Sequence, residues 1–374
     1  MLIYFDNAAT TKPSRKAIQA YIEGMQNYGN PSSTHTLGVR ARQRLEESRK
    51  TLAAAVGCKT EEFYFTASGT EANNIAIHGL WNLRKRKSNR VLMTDSEHPS
   101  VAMPVRGLEA QGAEVVCIPT RGGKLDTDFL KNALKDGAAL VCVMLANNET
   151  GAVYDIKAVR DLIKKSGTDA LLHCDAVQGF LKAPKYKQAL KAADSASFSA
   201  HKVHAPCGTG GLMLSSKLHP PALMLGGGQE KGLRSGTENV AGAMAFAVAA
   251  QEYAEHLGEI VSDVRGYLIE ELKELGNIGF NVPENHIDEI LNISFRGVKS
   301  ETALNYLSSQ GIYLSASSAC SSAKAENSVL AAYGLDKAER ECALRIGISH
   351  YNSPIDAIML SKALKEAREK YGRI

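Results

Sequence analysis

The feature that most constrains the fold is a series of short apolar runs, each continuous, with helix-like segments between most of them. The runs cover residues 63–65, 91–93, 115–118, 140–145 and 171–174. Between the last two, apolar residues recur at helical spacing, as at Ile156, Val159 and Ile163. Strands that are apolar throughout are buried on both faces, and intervening helices place them in parallel. The sequence therefore predicts an α/β fold whose mostly parallel sheet is covered by helices on both faces.

The pattern changes after an alanine-rich helix that is predicted from Val240 to about Tyr253. Two further strands, at 196–199 and 211–214, are predicted before this helix. After it, one strand is predicted at 290–295 and helices are predicted at 261–275, 301–307 and 355–371. A length of 374 residues is enough for two or three domains. We expect a large domain over residues 15–256 and a smaller α+β domain formed by residues 1–14 and 257–374.

Charge and cysteine usage exclude several classes of protein. The net charge of +4 is mild and mixed along the chain, and the basic cluster at 84–87 is typical of a solvated helix end, so nucleic-acid binding is not expected. No apolar run is long enough to span a bilayer, and the first residues lack a signal-peptide layout. Seven scattered cysteines without a C-x-x-C pair predict neither disulfides nor a metal site. We expect a cytoplasmic protein.

Lys202 follows the predicted strand at 196–199, where burial would favour its neutral amine. A neutral lysine attacks carbonyl groups, and the cofactor most often held in this way is pyridoxal phosphate. Taken alone, the motif favours a surface lysine after an edge strand.

Asp175 stands at the end of the preceding predicted strand, followed by Gln178. A carboxylate at this point can keep a pyridine nitrogen protonated, so that the ring accepts electrons, and the glutamine can bond a ring hydroxyl. A helix cap is the alternative for Asp175. Because Asp175 and Lys202 end successive strands, the cofactor interpretation is favoured.

Three other strand ends carry candidate ligands. Gly69 and Thr70 open a helix, whose free amide groups suit a phosphate, although an ordinary capping turn has the same pattern. His98 could stack on an aromatic ring and move protons, and Asn148 could bond a ring substituent. A loop histidine and a turn asparagine with purely local bonds remain the alternatives for these two.

Taken together, the motifs resemble those of the cysteine desulfurases, which are class V members of the pyridoxal-phosphate-dependent aminotransferases of fold type I. The resemblance covers nearly the whole chain, from Asp6 to Arg345. Seven short motifs carry it, in this order: Gly69-Thr70-Glu71, Glu97-His98, Asn147-Asn148-Glu149-Thr150-Gly151, His173-Cys174-Asp175-Ala176-Val177-Gln178, Ser199-Ala200-His201-Lys202, Arg234-Ser235-Gly236-Thr237 and Ser318-Ala319-Cys320.

The resemblance implies a role for each matched residue in binding pyridoxal 5'-phosphate. Lys202 would hold the cofactor covalently, His98 would stack on its ring, Asp175 would pair with the ring nitrogen and Gln178 would bond the ring oxygen. Its phosphate would be held by Gly69, Thr70, Ser199 and His201. Thr237 would reach the phosphate of the neighbouring subunit, which implies a homodimer with shared sites.

The resemblance also implies a substrate, L-cysteine, whose carboxylate would be bound by Asn148 and Arg345 with Asn30 nearby. Lys202 or His98 would move the α-proton. The Cys320 thiolate would then take the sulfur, releasing L-alanine and keeping a persulfide for a sulfur-acceptor protein such as an iron–sulfur scaffold. Arginine suits the carboxylate because its fork matches two oxygens.

Cys320 separates a desulfurase from an aminotransferase. It lies in the small, polar run 315–324, which is typical of a mobile loop, and Lys324 would help to lower the pKa of its thiol. An incidental loop cysteine is the alternative. Cys207 and Leu225 depart from the pattern, because many relatives have lysine and histidine there. These departures leave the subgroup open. The alternatives to a cysteine desulfurase are a selenocysteine lyase, a class V aminotransferase and a pyridoxal-bound subunit without turnover.

Overall fold

The computed structural model describes residues 2–256, 258–316 and 329–372. The strands are β1 (Ile3–Tyr4), β2 (Phe63–Thr66), β3 (Arg90–Thr94), β4 (Glu114–Ile118), β5 (Leu140–Cys142), β6 (Leu171–Asp175), β7 (Ser195–Ser199), β8 (Gly210–Leu214), β9 (Ile278–Phe280), β10 (Ile290–Phe295), β11 (Ile312–Tyr313), β12 (Ser315–Ala316) and β13 (Ala343–Gly347). The helices are α1 (Arg15–Gln26), α2 (Thr36–Val56), α3 (Gly69–Arg84), α4 (Pro99–Gly107), α5 (Thr127–Ala133), α6 (Ile156–Ser166), α7 (Tyr186–Ala192), α8 (Val240–His256), α9 (Gly258–Leu275), α10 (Ser300–Ser309), α11 (Val329–Tyr333), α12 (Lys337–Glu341) and α13 (Pro354–Tyr371).

The larger sheet has seven strands in the order β2-β8-β7-β6-β5-β3-β4. The pairs β4–β3, β3–β5, β5–β6 and β6–β7 are parallel, whereas β8 runs antiparallel to both of its neighbours. The predicted mostly parallel sheet is therefore confirmed, and the antiparallel direction of the run at 211–214 is the detail that the pattern left undetermined.

Helices cover both faces of this sheet. Successive residues of a strand face opposite sides, so Val141 and Leu172 join one core with α2, α6 and α8, while Leu140 and Leu171 join a second core with α3 and α4. All residues of β5, β6 and β7 are buried. Burial on both faces, as inferred from the sequence, therefore explains the continuous apolar runs.

A second, antiparallel sheet of order β12-β13-β10-β9 packs against α9, α10 and α13. The predicted helices of this region are confirmed, but β9, β12 and β13 were not predicted. The core of this sheet also includes Ile3 and Phe5 and is separate from the two cores of the larger sheet. On this basis we propose the boundaries given above, a large unit over 15–256 and a small unit formed by 1–14 and 257–374.

The N-terminal segment runs between the two sheets. Asn7 Nδ2 donates to Gly347 O in β13 at 2.8 Å, and Thr11 Oγ1 donates to His201 O just after β7 at 2.8 Å. The backbone carbonyls of Ala8 and Ala9 are therefore held where the strands of the larger sheet end. Among the helices of the described residues, none combines the length and the apolar content needed to cross a bilayer.

Candidate active site

A cavity of about 430 Å³ lies at the carboxyl ends of the parallel strands. This is the edge at which ligands bind in open parallel sheets. Its lining includes ten residues that the sequence predicted: Gly69, Thr70, His98, Asn148, Asp175, Gln178, Ser199, His201, Lys202 and Arg345. The fold therefore brings together residues that are up to 276 positions apart in sequence, from 69 to 345.

Lys202 occupies the end of a single 3-10 turn that follows β7. Its Nζ donates to Ala8 O at 2.7 Å and to Ala9 O at 2.6 Å. Burial lowers the pKa of Lys202 to about 7, and the positive charges of Lys182 and Arg345 act in the same direction. The neutral amine, which is the form that attacks a carbonyl, is therefore far more populated near pH 7 than in an exposed lysine.

Asp175 ends β6, the strand that pairs in parallel with β7. Its side chain is buried, with Oδ1 accepting from Val177 N at 2.9 Å and Oδ2 accepting from Asn73 Nδ2 at 2.9 Å. Two donors therefore fix the plane of the carboxylate at the cavity wall. The alternative role as a simple cap accounts for the Val177 contact but leaves the buried contact with Asn73 unexplained.

The N-terminus of α3 forms one end of the cavity. Ser68 caps the helix by accepting from Glu71 N at 3.1 Å, and Gly69 is buried against Val177. A Cβ atom on Gly69 would lie 2.6 Å from Val177 Cγ2, so the close approach requires glycine. The first amide groups of a helix attract anions, which makes this end suitable for a phosphate.

His201 lies beside this anion-binding end. Its Nδ1 is 3.1 Å from Thr10 Oγ1, and burial, assisted by the charges of Lys202 and Lys182, lowers its pKa to about 4. The ring is therefore neutral near pH 7 and can donate one hydrogen bond to an anion without carrying charge.

His98 is the N-cap of α4, where its Nδ1 accepts from Ser100 N at 3.1 Å and lies 2.7 Å from Ser100 Oγ. Burial lowers its pKa, although the charge of Asp175 opposes this shift. The neighbouring Glu97 is buried, and its pKa is raised to about 8, mainly by desolvation. Because Glu97 is mostly protonated at neutral pH, Asp175 faces no second full negative charge from it.

Arg345 lies on β13 at the opposite wall. Its Nη1 donates to Glu149 Oε1 at 3.0 Å and to Asn148 O at 3.1 Å, and its Nη2 lies 3.4 Å from Asp6 Oδ1. These partners hold the guanidinium at the cavity. The sequence indicated Arg345 as a site residue only through the family resemblance.

Several buried polar atoms of the lining have no hydrogen-bond partner among the described residues. They are Gln178 Oε1, Asn148 Oδ1 and Arg345 Nε. Gln178 uses its Nε2 to donate to Ala8 O at 2.8 Å, so its oxygen is left as an acceptor. Unsatisfied buried polar atoms are rare in folded proteins, and these three belong to residues of one cavity, which fits a polar ligand there.

Two predicted residues lie away from this cavity. Asn30 is exposed, and its Oδ1 accepts from Ser32 N at 2.9 Å. Thr237 is exposed and lines a shallow depression of about 60 Å³ beside the loop that precedes α3. Arg234 holds this segment to α3 through a 2.6 Å contact between its Nε and Glu71 Oε1. Cys320 and Lys324 lie outside the described residues.

Residues that the sequence did not single out complete the site. Asn73 and Ser100 contact Asp175 and His98, while Lys182 affects the charge of Lys202. The sequence could have indicated Asn73 as a site residue, because it lies four residues after Gly69 and therefore on the same face of α3. The two departures, Cys207 and Leu225, are exposed and are not among the residues that line the cavity.

Comparisons with known proteins agree with this geometry. Residues 3–358 match the aminotransferase class-V family. The cysteine desulfurase IscS of Dictyoglomus turgidum is 35% identical over 380 residues, covering 98% of this chain and 95% of the relative. The corresponding desulfurase of Methanosarcina thermophila is 32% identical over 375 residues, covering 98% and 92%.

Solved structures lead to the same conclusion. A NifS-like protein superposes with a TM-score of 0.92 at 31% identity, covering 99% of this chain and all of that one. The protein SspA, solved in complex with cysteine, superposes with a TM-score of 0.80 at 26% identity, covering 94% and 100%. The sequence match, the mixed seven-stranded sheet and the ten residues gathered at its edge identify the chain as a member of the aminotransferase class-V family.

Proposed function

We propose that this protein is a pyridoxal-phosphate-dependent cysteine desulfurase, which converts L-cysteine to L-alanine and keeps the sulfur as a persulfide on Cys320. The observation that carries the proposal is the single cavity that joins the Lys202 amine, the Asp175 carboxylate, the N-terminus of α3 and the Arg345 guanidinium. Full-length relatives that are named cysteine desulfurases support it.

The residues of the cavity fit pyridoxal phosphate. Lys202 would hold it covalently, Asp175 would face the ring nitrogen, and Gln178 Oε1 would accept from the ring hydroxyl. Its phosphate would lie at Gly69, with Thr70, Ser199 and His201 as further donors. When bound, the cofactor supplies a protonated ring that withdraws electrons from the substrate.

Arg345 is the residue that would bind the substrate carboxylate. It would do so in exchange for part of its present pairing with Glu149 and Asp6, whose contacts are 3.0 and 3.4 Å long. Asn148 would add a side-chain hydrogen bond. The structure of SspA with cysteine supports L-cysteine as the substrate.

Cys320 would take the sulfur. Strand β12 ends at Ala316 and pairs with β13 at Arg345, and Cys320 follows Ala316 by four residues, a length of chain that spans at most about 14 Å. Its thiolate attacks the substrate sulfur, so that an S–S bond forms as the Cβ–S bond breaks. The electron pair stays on Cβ, which takes a proton to become the methyl group of alanine. Lys324 would favour the thiolate form.

Thr237 would complete the phosphate site of a second subunit, which makes the protein a homodimer with shared sites. The exposure of Thr237 supports this, and so does the exposed apolar face formed on α1 by Ile18, Ile22 and Met25. A sulfur-acceptor protein, such as an iron–sulfur scaffold, would receive the persulfide sulfur. The cytoplasm is the compartment that we propose, because its reducing conditions suit free thiols.

A product assay tests the function. The purified protein, loaded with pyridoxal phosphate and supplied with L-cysteine and a thiol reductant, should release L-alanine and sulfide in equal amounts. Transfer of the amino group to a keto acid without sulfide would favour an aminotransferase. Turnover restricted to selenocysteine would favour a selenocysteine lyase, and cofactor binding without any turnover would favour a regulatory subunit.

A further inference from the structure

A buried chain of hydrogen bonds joins Asp175 to His98. Its central member, Asn73 of α3, has no exposed surface. Asn73 Nδ2 lies 2.9 Å from Asp175 Oδ2 and 2.9 Å from Ser100 Oγ, and Ser100 Oγ lies 2.7 Å from His98 Nδ1. The carboxylate assigned to the ring nitrogen and the histidine assigned to ring stacking are therefore connected through one amide and one hydroxyl.

The direction of every bond in this chain follows from Asp175. A carboxylate has only acceptor atoms, so the Asn73 side chain must present its Nδ2 group to Asp175. One amide hydrogen is donated to Asp175 and the other to Ser100 Oγ. The opposite amide orientation would place the Asn73 oxygen against the carboxylate and would lose the bond to Asp175.

His173 braces the amide from the other side. Its Nε2 lies 2.9 Å from Asn73 Oδ1, and its Nδ1 lies 2.8 Å from Ser195 Oγ. Complete burial lowers the pKa of His173 to about 3, so the ring is neutral with a single proton. That proton belongs on Nε2, because Asn73 Oδ1 can only accept while the Ser195 hydroxyl can donate.

Ser100 determines which ring nitrogen of His98 carries the proton. The Ser100 oxygen accepts from Asn73, so its one hydrogen is available for His98 Nδ1 at 2.7 Å. The backbone N–H of Ser100 also donates to His98 Nδ1, at 3.1 Å. A ring nitrogen that accepts two hydrogen bonds carries no proton, so the proton of the neutral ring lies on Nε2.

We propose that Asn73, braced by His173, is a positioning residue that holds His98 in its Nε2–H tautomer, so that His98 serves the cavity as a hydrogen-bond donor.

The surroundings of His98 oppose a second proton. Protonation at Nδ1 would break two accepted bonds at the N-terminus of α4, where a helix disfavours positive charge. The charged groups around the ring are Asp175, which raises its pKa, and Lys202 and Arg345, which lower it together with burial. The pKa of His98 is therefore lowered from the usual value of histidine.

Nitrogen NMR of ¹⁵N-histidine-labelled holoprotein tests the tautomer without any substrate. Comparison with His98→Gln assigns the ring, and the parent should show an unprotonated Nδ1 and a protonated Nε2. In Asn73→Ala, Ser100 loses its donor and is free to accept from the ring, so signals of an Nδ1-protonated ring should appear and His98 should titrate at a higher pH.

Asn74→Ala is the matched control, because Asn74 is on the same helix and bonds Thr70 O rather than this chain. It should keep the parent pattern. Ser100→Ala, which removes the hydroxyl donor and little volume, is the second variant if Asn73→Ala fails to fold. A protonated Nδ1 in the parent, or a parent pattern in Asn73→Ala or, where that variant does not fold, in Ser100→Ala, would overturn the proposal.

Discussion

At the scale of single residues, the charge of Lys202 depends on a second lysine, Lys182. Lys182 and Lys202 both line a second, very small cavity, which also contains Glu289 and His204. After burial, the positive charge of Lys182 is the largest cause of the lowered pKa of Lys202. The two lysines thus form a like-charged pair in which one favours the neutral form of the other.

Replacing Lys182 by methionine is therefore expected to raise the pKa of Lys202. Arg345 still lowers this pKa in the variant, while Asp6 and Asp175 still raise it. A higher pKa leaves less neutral amine at pH 7, so capture of pyridoxal phosphate by the cofactor-free protein should be slower there and recover at higher pH. The rate of capture, followed by absorbance from pH 6 to 9, measures the shift. Lys187→Met, at an exposed lysine of α7, should leave the profile unchanged; an unshifted profile for Lys182→Met would contradict the coupling.

The sequence predicted the site residues that directly follow strands, and it missed those whose role depends on side-chain direction. Asp175 and Lys202 could be found because successive parallel strands end at the same edge of a sheet. Asn73, Ser100 and Lys182 lie within or beside helices, where the local pattern does not say which long-range partner a polar side chain meets. Their contacts are set only when α3, α4 and the segment after β6 pack together.

At the scale of elements, the anion-binding end depends on how closely α3 approaches the turn after β6. Gly69 is the point of contact, since its missing Cβ would overlap Val177 Cγ2 at 2.6 Å. The next nearest atom, Ser199 Cβ, would be 3.4 Å away. A single methyl-sized clash therefore decides whether the helix N-terminus stays in place.

Gly69→Ala should weaken retention of pyridoxal phosphate roughly 10- to 100-fold, because overpacking of this kind costs about 1–3 kcal/mol. Val177→Ala in the same chain removes the clashing methyl group and should restore most of the affinity. Equilibrium dialysis of the cofactor measures both. If the double variant binds as weakly as Gly69→Ala, helix displacement is not the cause.

The small sheet shows where prediction of elements failed. Strand β13 carries Arg345, but the run Ala343–Gly347 contains an arginine in its middle and was not predicted as a strand. It pairs with β10, a strand that was predicted. This pairing buries both strands and satisfies their backbone hydrogen bonds. Tertiary pairing, rather than local hydrophobicity, therefore determines this element.

At the scale of the whole molecule, the proposed dimer makes the phosphate site depend on a second subunit. Thr237→Val keeps the shape of the side chain but removes the hydroxyl. Loss of one hydrogen bond to a charged phosphate should weaken cofactor retention by about 10-fold or more. Thr127→Val, at the exposed start of α5, is the matched control and should have no effect.

Light scattering gives the second part of this test. The parent protein and Thr237→Val should both be dimers, because the apolar face of α1 is unchanged. A monomeric parent that retains its cofactor fully would contradict the shared site.

The central claim divides the reaction between two residues, with cofactor chemistry at Lys202 and sulfur extraction at Cys320. Cys320→Ser keeps the size of the side chain but replaces the thiol by a hydroxyl, a far weaker nucleophile near neutral pH. This variant should bind pyridoxal phosphate and respond to L-cysteine with a spectral change, whereas Lys202→Ala should lack the absorbance of covalently bound cofactor. Cys207→Ser, at an exposed cysteine outside the cavity lining, should behave as the parent protein.

The decisive measurement is the rate at which Cys320→Ser releases L-alanine from L-cysteine. The proposed division predicts that release falls to the slow background and that no persulfide forms, while cofactor content stays at the parent level. Release at the parent rate would contradict it, because the sulfur would then leave without help from Cys320.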